Sequence, residues 1–509
     1  MNMENYYNSK NISEDKKESL VLEKGKDNQE AENLETKETA RQKIVRKAAF
    51  VHADTVDNSE FNNFIDESED LFSKEEISFD RIEEIVNNPE TFAKPLLEKE
   101  VYSYPDDIVV TGETLYFADG DYTNVYDLVL PSDDIDFGIV GSNNPQYQYK
   151  IMKQHLDTLA MINGPFFCLH DDKEMPPDVT LGAHMQDGKI FGLPSADRPL
   201  LYVKEGGEIE VEEMSARGEI RIGDQIVDWV GGERFAHGFE ENTDGEETVL
   251  YNGACCTIEY DDPDTKGSRR SLNKERNLTP QSANKVDIVI GVDGNGEARV
   301  IAKNEGGNTD FFSGYYILHM HKNKAQTIKV GNYVQPLTIG NLDLGKITAM
   351  CTTGPMTEHF LENDDHPINH DLSLGNIPPF APNARYARAV IYKDAMNQTH
   401  FLVFDGVPRS EHMPGATPKE VAEFIPKDAK WSVFMDGGQS SRVTVRAGEE
   451  NKTAAFGNRQ YVRLPKKKLT TSQTNMKNTG SIAEVDNRHL WSGSGRPVPM
   501  VITANLKKS

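Results

Sequence analysis

At 509 residues the chain is long enough to build two to four domains around a large core, yet only 37% of it is hydrophobic. A folded part must therefore be diluted by a polar one. A formal net charge of −27, from 82 acidic against 55 basic residues, argues against nucleic acid and anionic membrane surfaces as partners, since both repel an acidic chain without a basic patch.

The one short basic run, Pro465-Lys466-Lys467-Lys468, reads as a solvated loop. No stretch reaches the roughly 18 apolar residues of a membrane span. Residues 1–10 are polar and no apolar leader follows. The expectation is a cytoplasmic protein, or one packaged in a virion or other particle. Cys168, Cys255, Cys256 and Cys351 show no Cys-x-x-Cys spacing, so they read as buried free thiols.

In chain order, residues 1–58 are rich in Lys, Glu, Asn and Asp and bury too little apolar surface to offset ordering entropy, so a disordered acidic tail is expected. Residues 59–100 stay acidic but carry helical spacing at Phe61, Phe64 and Ile65, then Ile82, Ile85 and Val86, which predicts short amphipathic helices broken by Pro89 and Pro95. From Val101 onward, runs rich in Val, Ile, Tyr and Thr alternate with Gly, Asp and Asn turns. Strands are expected at 107–111, 126–130, 285–292 and 401–404. Two helices stand out. One covers 155–161; the other starts with Thr417 as N-cap and Pro418 in its first turn. The fold class expected is α+β: a strand-rich domain over 101–509 with few helices and a loop insertion near 465–490.

Three segments combine strand ends with turn residues suited to chemistry. Val433-Phe434-Met435-Asp436-Gly437-Gly438-Gln439-Ser440-Ser441 runs an apolar strand into a carboxylate, paired glycines and two hydroxyls. Glycines allow turns that aim successive N–H groups into one hollow suited to an anion. Ala160-Met161-Ile162-Asn163-Gly164-Pro165-Phe166-Phe167 ends a strand in Asn-Gly and two aromatics. Arg388-Ala389-Val390-Ile391-Tyr392 leads through a turn to Phe401-Leu402-Val403-Phe404-Asp405-Gly406. Each segment alone also fits an ordinary turn.

Taken in order, these segments resemble the phosphodiester glycosidase family. The likeness spans about 101–502. It rests on Asn163-Gly164-Pro165-Phe166-Phe167, Arg388, Asp405-Gly406, Gly415-Ala416-Thr417, Glu420-Val421-Ala422, Asp436-Gly437-Gly438-Gln439-Ser440-Ser441 and Gly495-Arg496-Pro497-Val498. Weaker parallels are Val249-Leu250-Tyr251-Asn252 and Gly354-Pro355-Met356. The chain departs from the family pattern at Pro165, Met413, Gln439 and Arg442.

The resemblance implies a hydrolase that cleaves a sugar-1-phosphodiester, such as that of N-acetylglucosamine, releasing free sugar and a phosphomonoester. A nucleotide-sugar-like ligand fits the same description. Developing phosphate charge would be met by arginines, whose planar fork pairs two oxygens, and a carboxylate would activate water. The implied roles are Arg388 and Arg496 as phosphate clamp, with Arg463 as alternative to Arg496. Gly437, Gly438, Ser440 and Ser441 are implied as neutral donors, Asp436 as base or nucleophile, Asp405 as second carboxylate, Asn163 as sugar contact and Arg442 as substitute contact. The alternative is a carbohydrate- or phosphate-binding or structural protein, for example of a virion, that keeps the fold without turnover. The N-terminal segment is a candidate for recruiting a partner protein. No cofactor is expected. His359, His366 and His370 do not match zinc spacing, and a structural calcium on loop carboxylates stays open.

Overall fold

The computed structural model describes residues 49–50, 90, 93–131, 134–167, 182–194, 197–232, 246–252, 258–261, 268–272, 278–292, 297–311, 315–362, 384–407, 410–447, 453–457, 462–463, 489–490 and 498–507. The chain divides into two compact units, Met1–Arg46 and Lys47–Ser509, and all described residues belong to the second. Most of the acidic tail, the helices expected over 59–100, the basic run and nearly all of the 465–490 insertion lie outside the described residues. One exception is Ala49–Phe50, a strand that pairs in parallel with Lys189 and Ile190.

The domain is strand-rich with few helices, as expected, and its fold is mostly β rather than an even α+β mixture. Among the described residues there are three α-helices: α1 (Gln148–Gln154), α2 (His359–Glu362) and α3 (Pro418–Phe424). Strands expected at 107–111, 126–130, 285–292 and 401–404 appear as Val109–Tyr116 (β1), Tyr122–Leu130 (β2), Lys285–Val292 and Thr399–Phe404. The helix expected over 155–161 is corrected. His155 caps the end of α1, and Thr158–Asn163 is a strand. All six residues of that strand are buried, and a continuous apolar run does not reveal its period. Pairing on both sides decides for strand.

Two sheets carry the site. The first has six antiparallel strands in the order Glu100–Ser103, β1, β2, Thr399–Phe404, Arg388–Lys393, Trp431–Phe434. The second has five, in the order Thr453–Gly457, Arg442–Arg446, Thr158–Asn163, Val498–Leu506, Ile135–Gln146. In chain order we number the remaining strands used below β3 (Ile135–Gln146), β4 (Thr158–Asn163), β5 (Arg388–Lys393), β6 (Thr399–Phe404), β7 (Trp431–Phe434), β8 (Arg442–Arg446) and β9 (Val498–Leu506).

The inner faces of both sheets share one core: Ala389, Phe401, Val403, Val433 and Met435 meet Ala160, Ile162, Val443, Val445, Met500 and Ile502. The outer face of the first sheet is also buried. Val390, Leu402, Phe404 and Phe434 pack there against Val421, Ala422 and Ile425 of the α3 region and Phe360 of α2. Burial on both faces explains why Phe401–Phe404 of β6 reads as an unbroken apolar run. The outer face of the second sheet is covered by α1, through Ile151 and Met152 against Met161 and Val501. Each such large apolar side chain contributes about 1.5–3 kcal/mol when taken out of water.

A third sheet lines the same core with Leu201, Val203, Ala349 and Cys351, and its far face meets a seven-stranded sheet around Trp229, Ile288 and Leu318. That sheet bends back on itself. Tyr333 bridges to Arg299, and Gly331 donates to the Val300 carbonyl at 2.8 Å. Cys351 is a buried free thiol, as the spacing suggests; Cys168, Cys255 and Cys256 lie outside the described residues.

Candidate functional site

The chain crosses from the first sheet to the second through residues 435–441, between β7 and β8, at one end of the shared core. This crossing is the Asp436-Gly437-Gly438-Gln439-Ser440-Ser441 segment. The Asn163, Arg388 and Gly415 segments meet it or the residues beside it, whereas Val249–Tyr251 lies in the seven-stranded sheet.

Asn163 ends β4 and is fully buried. Its Nδ2 donates to the Asp436 carbonyl at 2.7 Å and to the Gly164 carbonyl at 3.3 Å, and its Oδ1 accepts from the Arg442 N–H at 3.1 Å. The Asp436 N–H donates to the Gly164 carbonyl at 3.1 Å. One amide thus staples both ends of the crossing loop. These side-chain bonds all go to backbone groups, so Asn163, expected as a sugar contact, holds the loop.

Arg388 opens β5. The register pairs it with Phe404, and the neighbouring pairs Val390–Phe434 and Ile391–Val433 carry Asp436 to its level on the other side. Facing residues of an antiparallel pair share a face, so Arg388 and Asp436 both lie on the α3 side. The guanidinium is buried. Its Nε donates to the Ala416 carbonyl at 3.1 Å and its Nη2 to the Ala384 carbonyl at 2.9 Å. Burial pushes its pKa down to about 10, with the Tyr386 hydroxyl acting the other way. A Cβ on Gly437 would stand 3.9 Å from its Nη1. Arg388 therefore braces the 414–416 turn and stands beside Gly437 of the loop.

Asp405 follows β6. Since Phe404 faces Arg388, strand alternation aims Asp405 toward the Val403 side, away from Asp436. Its Oδ1 accepts from the Gly406 N–H at 2.8 Å, and its carbonyl accepts from Thr123 Oγ1 at 2.6 Å. Ala387 lies between the two carboxylate-bearing turns. A Cβ on Gly406 would come within 2.9 Å of its nitrogen, and its carbonyl accepts from Gly438 N–H at 2.7 Å.

That last bond occupies one N–H of the expected anion nest. Gly438 has φ +61°, the left-handed turn foreseen, but its N–H is spent on Ala387. The N–H groups of Ser440 and Ser441 close a single 3-10 turn onto the Gly437 and Gly438 carbonyls, at 3.3 and 3.2 Å. These three N–H groups are satisfied from within. The hydroxyls are different. Ser440 is 2% exposed and Ser441 0%, and among the described residues neither Oγ has a hydrogen-bond partner. A buried hydroxyl left this way costs about 1–3 kcal/mol, which an acceptor reaching the pair would offset.

Arg442 follows at once and is 5% exposed. Alternation sends it to the α1 side, opposite Val443. Gln148 Nε2 donates to its carbonyl at 3.0 Å, and Thr444 Oγ1 donates to Gln148 Oε1 at 2.8 Å. Burial raises the Tyr149 hydroxyl pKa, Tyr147 adds to this, and the Arg442 charge opposes it, so Tyr149 and Arg442 are electrostatic neighbours. The two buried arginines thus flank the loop on separate layers. Arg496 lies outside the described residues, as do the side chains of Arg463 and Gln439.

Sequence reasoning passed over Arg385. Its guanidinium donates to Glu420, Asp119 and Asp121 and lies over the Phe117 ring at 4.2 Å. Glu420 also completes the capping box with Thr417, at 2.8 and 3.2 Å. Arg385 therefore ties α3 to the β1–β2 turn. His359 sits 2.9 Å from Glu213, whereas His366 and His370 lie outside the described residues. Among the described residues no cluster of three metal-ligating side chains forms.

No protein-family model matches this chain, and no curated protein matches it in sequence. Solved structures do. A hypothetical protein from Synechocystis shares 14% identity at a TM-score of 0.44. That match covers 81% of this chain and 64% of the other, so the chain spans under two thirds of its length. A candidate exported protein of Burkholderia pseudomallei K96243 shares 15% identity at 0.42, covering 76% and 74%. The catalytic domain of zebrafish N-acetylglucosamine-1-phosphodiester alpha-N-acetylglucosaminidase, auto-inhibited by its pro-peptide, shares 9% identity at 0.34, covering 81% and 88%. At these scores the chemistry of this chain rests on its own geometry. No helix among the described residues is long and apolar enough to cross a membrane.

Proposed function

We propose that this chain hydrolyses the glycosidic bond of a sugar-1-phosphodiester, giving free sugar and a phosphomonoester. The observation that carries the reading is the pair of buried hydroxyls of Ser440 and Ser441, without partners among the described residues, between a half-buried Asp436 and a buried Arg442. Donors held in place before substrate arrives stabilise charge that develops on a leaving group. Phosphate supplies that charge.

Ser440 and Ser441 hold the phosphate oxygens, and the buried Arg442 behind them adds positive charge. Asp436 takes a proton from water as the water oxygen bonds to the anomeric carbon. The bond from that carbon to the bridging oxygen breaks, and the electron pair leaves with the phosphate. Asn163 and Arg388 act as positioning residues that fix both ends of the loop. Asp405 supports the Gly406 turn on the far side of Ala387. Binding without turnover is the second reading, favoured by the separation of Asp405 from Asp436 across the sheet. The test is incubation with a panel of sugar-1-phosphodiesters and nucleotide sugars, with free sugar measured. Release by the native chain and its loss in Asp436→Asn support hydrolysis; binding with no product supports the second reading.

A further inference from the structure

The segment before β5 presents an aromatic ring that the reaction does not use. Tyr386 is 39% exposed, although its backbone is locked. Its N–H donates to the Ala416 carbonyl at 3.3 Å, and its carbonyl accepts from the Ala416 N–H at 2.9 Å. Gly415, at φ +109°, is pressed so close that a Cβ there would lie 2.2 Å from the Tyr386 carbonyl. The neighbouring arginines are fixed too: Arg385 by its three carboxylates and Arg388 by two carbonyls. The Arg388 guanidinium stands 5.3 Å from the Tyr386 ring centroid. A rigid backbone under a ring that still meets solvent is what a stacking platform requires, because little entropy is lost when a ligand settles on it.

Its position along the loop indicates which part of the ligand it meets. The phosphate donors lie at the 440–442 end. Gly437 and Gly438 lie at the other, against Ala387, the residue next to Tyr386. Among the described residues, a Cβ on Gly438 would meet nothing within 4 Å beyond its chain neighbours, so none of them fills the space beside this turn. With phosphate on the serines and the anomeric carbon at Asp436, the sugar ring extends over the glycines toward Tyr386. We infer that Tyr386 is a specificity-determining platform on which the apolar face of a pyranose ring stacks. This rests on the hydrolase reading for the orientation of the ligand, and the aromatic contact supplies affinity through C–H groups facing the ring.

The experiment uses the full chain with the α-1-phosphates of N-acetylglucosamine, glucose, galactose and mannose as probes, followed by proton NMR, and the matching methyl phosphodiesters for kinetics. Stacking shifts the protons of one pyranose face upfield. Tyr386→Phe should keep that shift and the KM. Tyr386→Ala should abolish it and raise KM at least tenfold, with kcat changed less than threefold. A purely structural Tyr386 would instead lower stability in Tyr386→Ala with KM and proton shifts unchanged, which overturns the inference. If the native chain releases no sugar yet shows the Tyr386-dependent shift, the platform stands and hydrolysis falls. If it releases sugar with no such shift, hydrolysis stands and the platform falls.

Discussion

Replacing Ser441 by alanine is expected to make the protein more stable and a poorer ligand for phosphate. Ser441 is fully buried and its Oγ has no partner among the described residues. Such a hydroxyl burdens the free protein by about 1–3 kcal/mol, and alanine removes the burden while leaving almost no void. A hydrogen bond to a charged acceptor is worth about 1.5–3 kcal/mol, so losing it should weaken binding about ten- to a hundredfold. Ser440, at 2% exposure, should behave alike. Urea unfolding gives the first quantity, and titration with a sugar-1-phosphate gives the second. If Ser441→Ala lowers stability by more than about 1 kcal/mol and leaves affinity unchanged, the hydroxyl has a structural partner and the loop is no phosphate site.

The remaining expectations concern the frame around that loop. Asn163→Ala removes the acceptor of the Arg442 N–H and the donor to the Asp436 carbonyl; two buried backbone groups left unpaired should cost about 2–4 kcal/mol, read by urea unfolding, with activity lost as the loop loosens. Gly415→Ala combines φ +109° with a 2.2 Å contact to Tyr386, so a loss of about 2 kcal/mol or more is expected, with ligand affinity falling alongside. His184 packs on Gly141 and stacks on Phe191 at 4.6 Å, and burial pushes its pKa down to about 3. The unfolded chain then binds a proton that the folded chain refuses. Stability should be full above about pH 6.5 and fall below it by up to about 1.4 kcal/mol per pH unit until about pH 3, a slope that His184→Asn removes.

Much of the site was legible because strand ends and turns leave marks in sequence. Asn163-Gly164, Asp405-Gly406, Gly415 and Asp436-Gly437-Gly438 all stand where β4, β6, α3 and β7 begin or end, and they converge on Ala387 and the crossing loop. The capping box of Thr417 and Glu420 appears as its spacing suggests. What could not be read was where each polar group spends its bonds. Asn163 and Arg388 have the chemistry of ligand contacts, yet in the fold they bond backbone groups that include distant ones, at Asp436, Arg442 and Ala416. The Gly438 N–H goes to Ala387, more than 40 residues away in sequence. The helix expected at 155–161 failed for the same reason: Thr158–Asn163 is apolar throughout, and only β8 and β9 on either side make it a strand. Tyr386 and Arg385 carried no local signal, since nothing in their spacing tells an exposed ring from a buried one.

The central claim is that the Asp436–Arg442 loop breaks a bond from an anomeric carbon to phosphate. Phosphorus NMR of the native chain and of Asp436→Asn, each incubated with the methyl phosphodiester of N-acetylglucosamine and its hexose counterparts, tests it most directly. Methyl phosphate, rather than sugar-1-phosphate, should accumulate with the native chain alone. Diester that persists unchanged in both samples across the whole panel contradicts it.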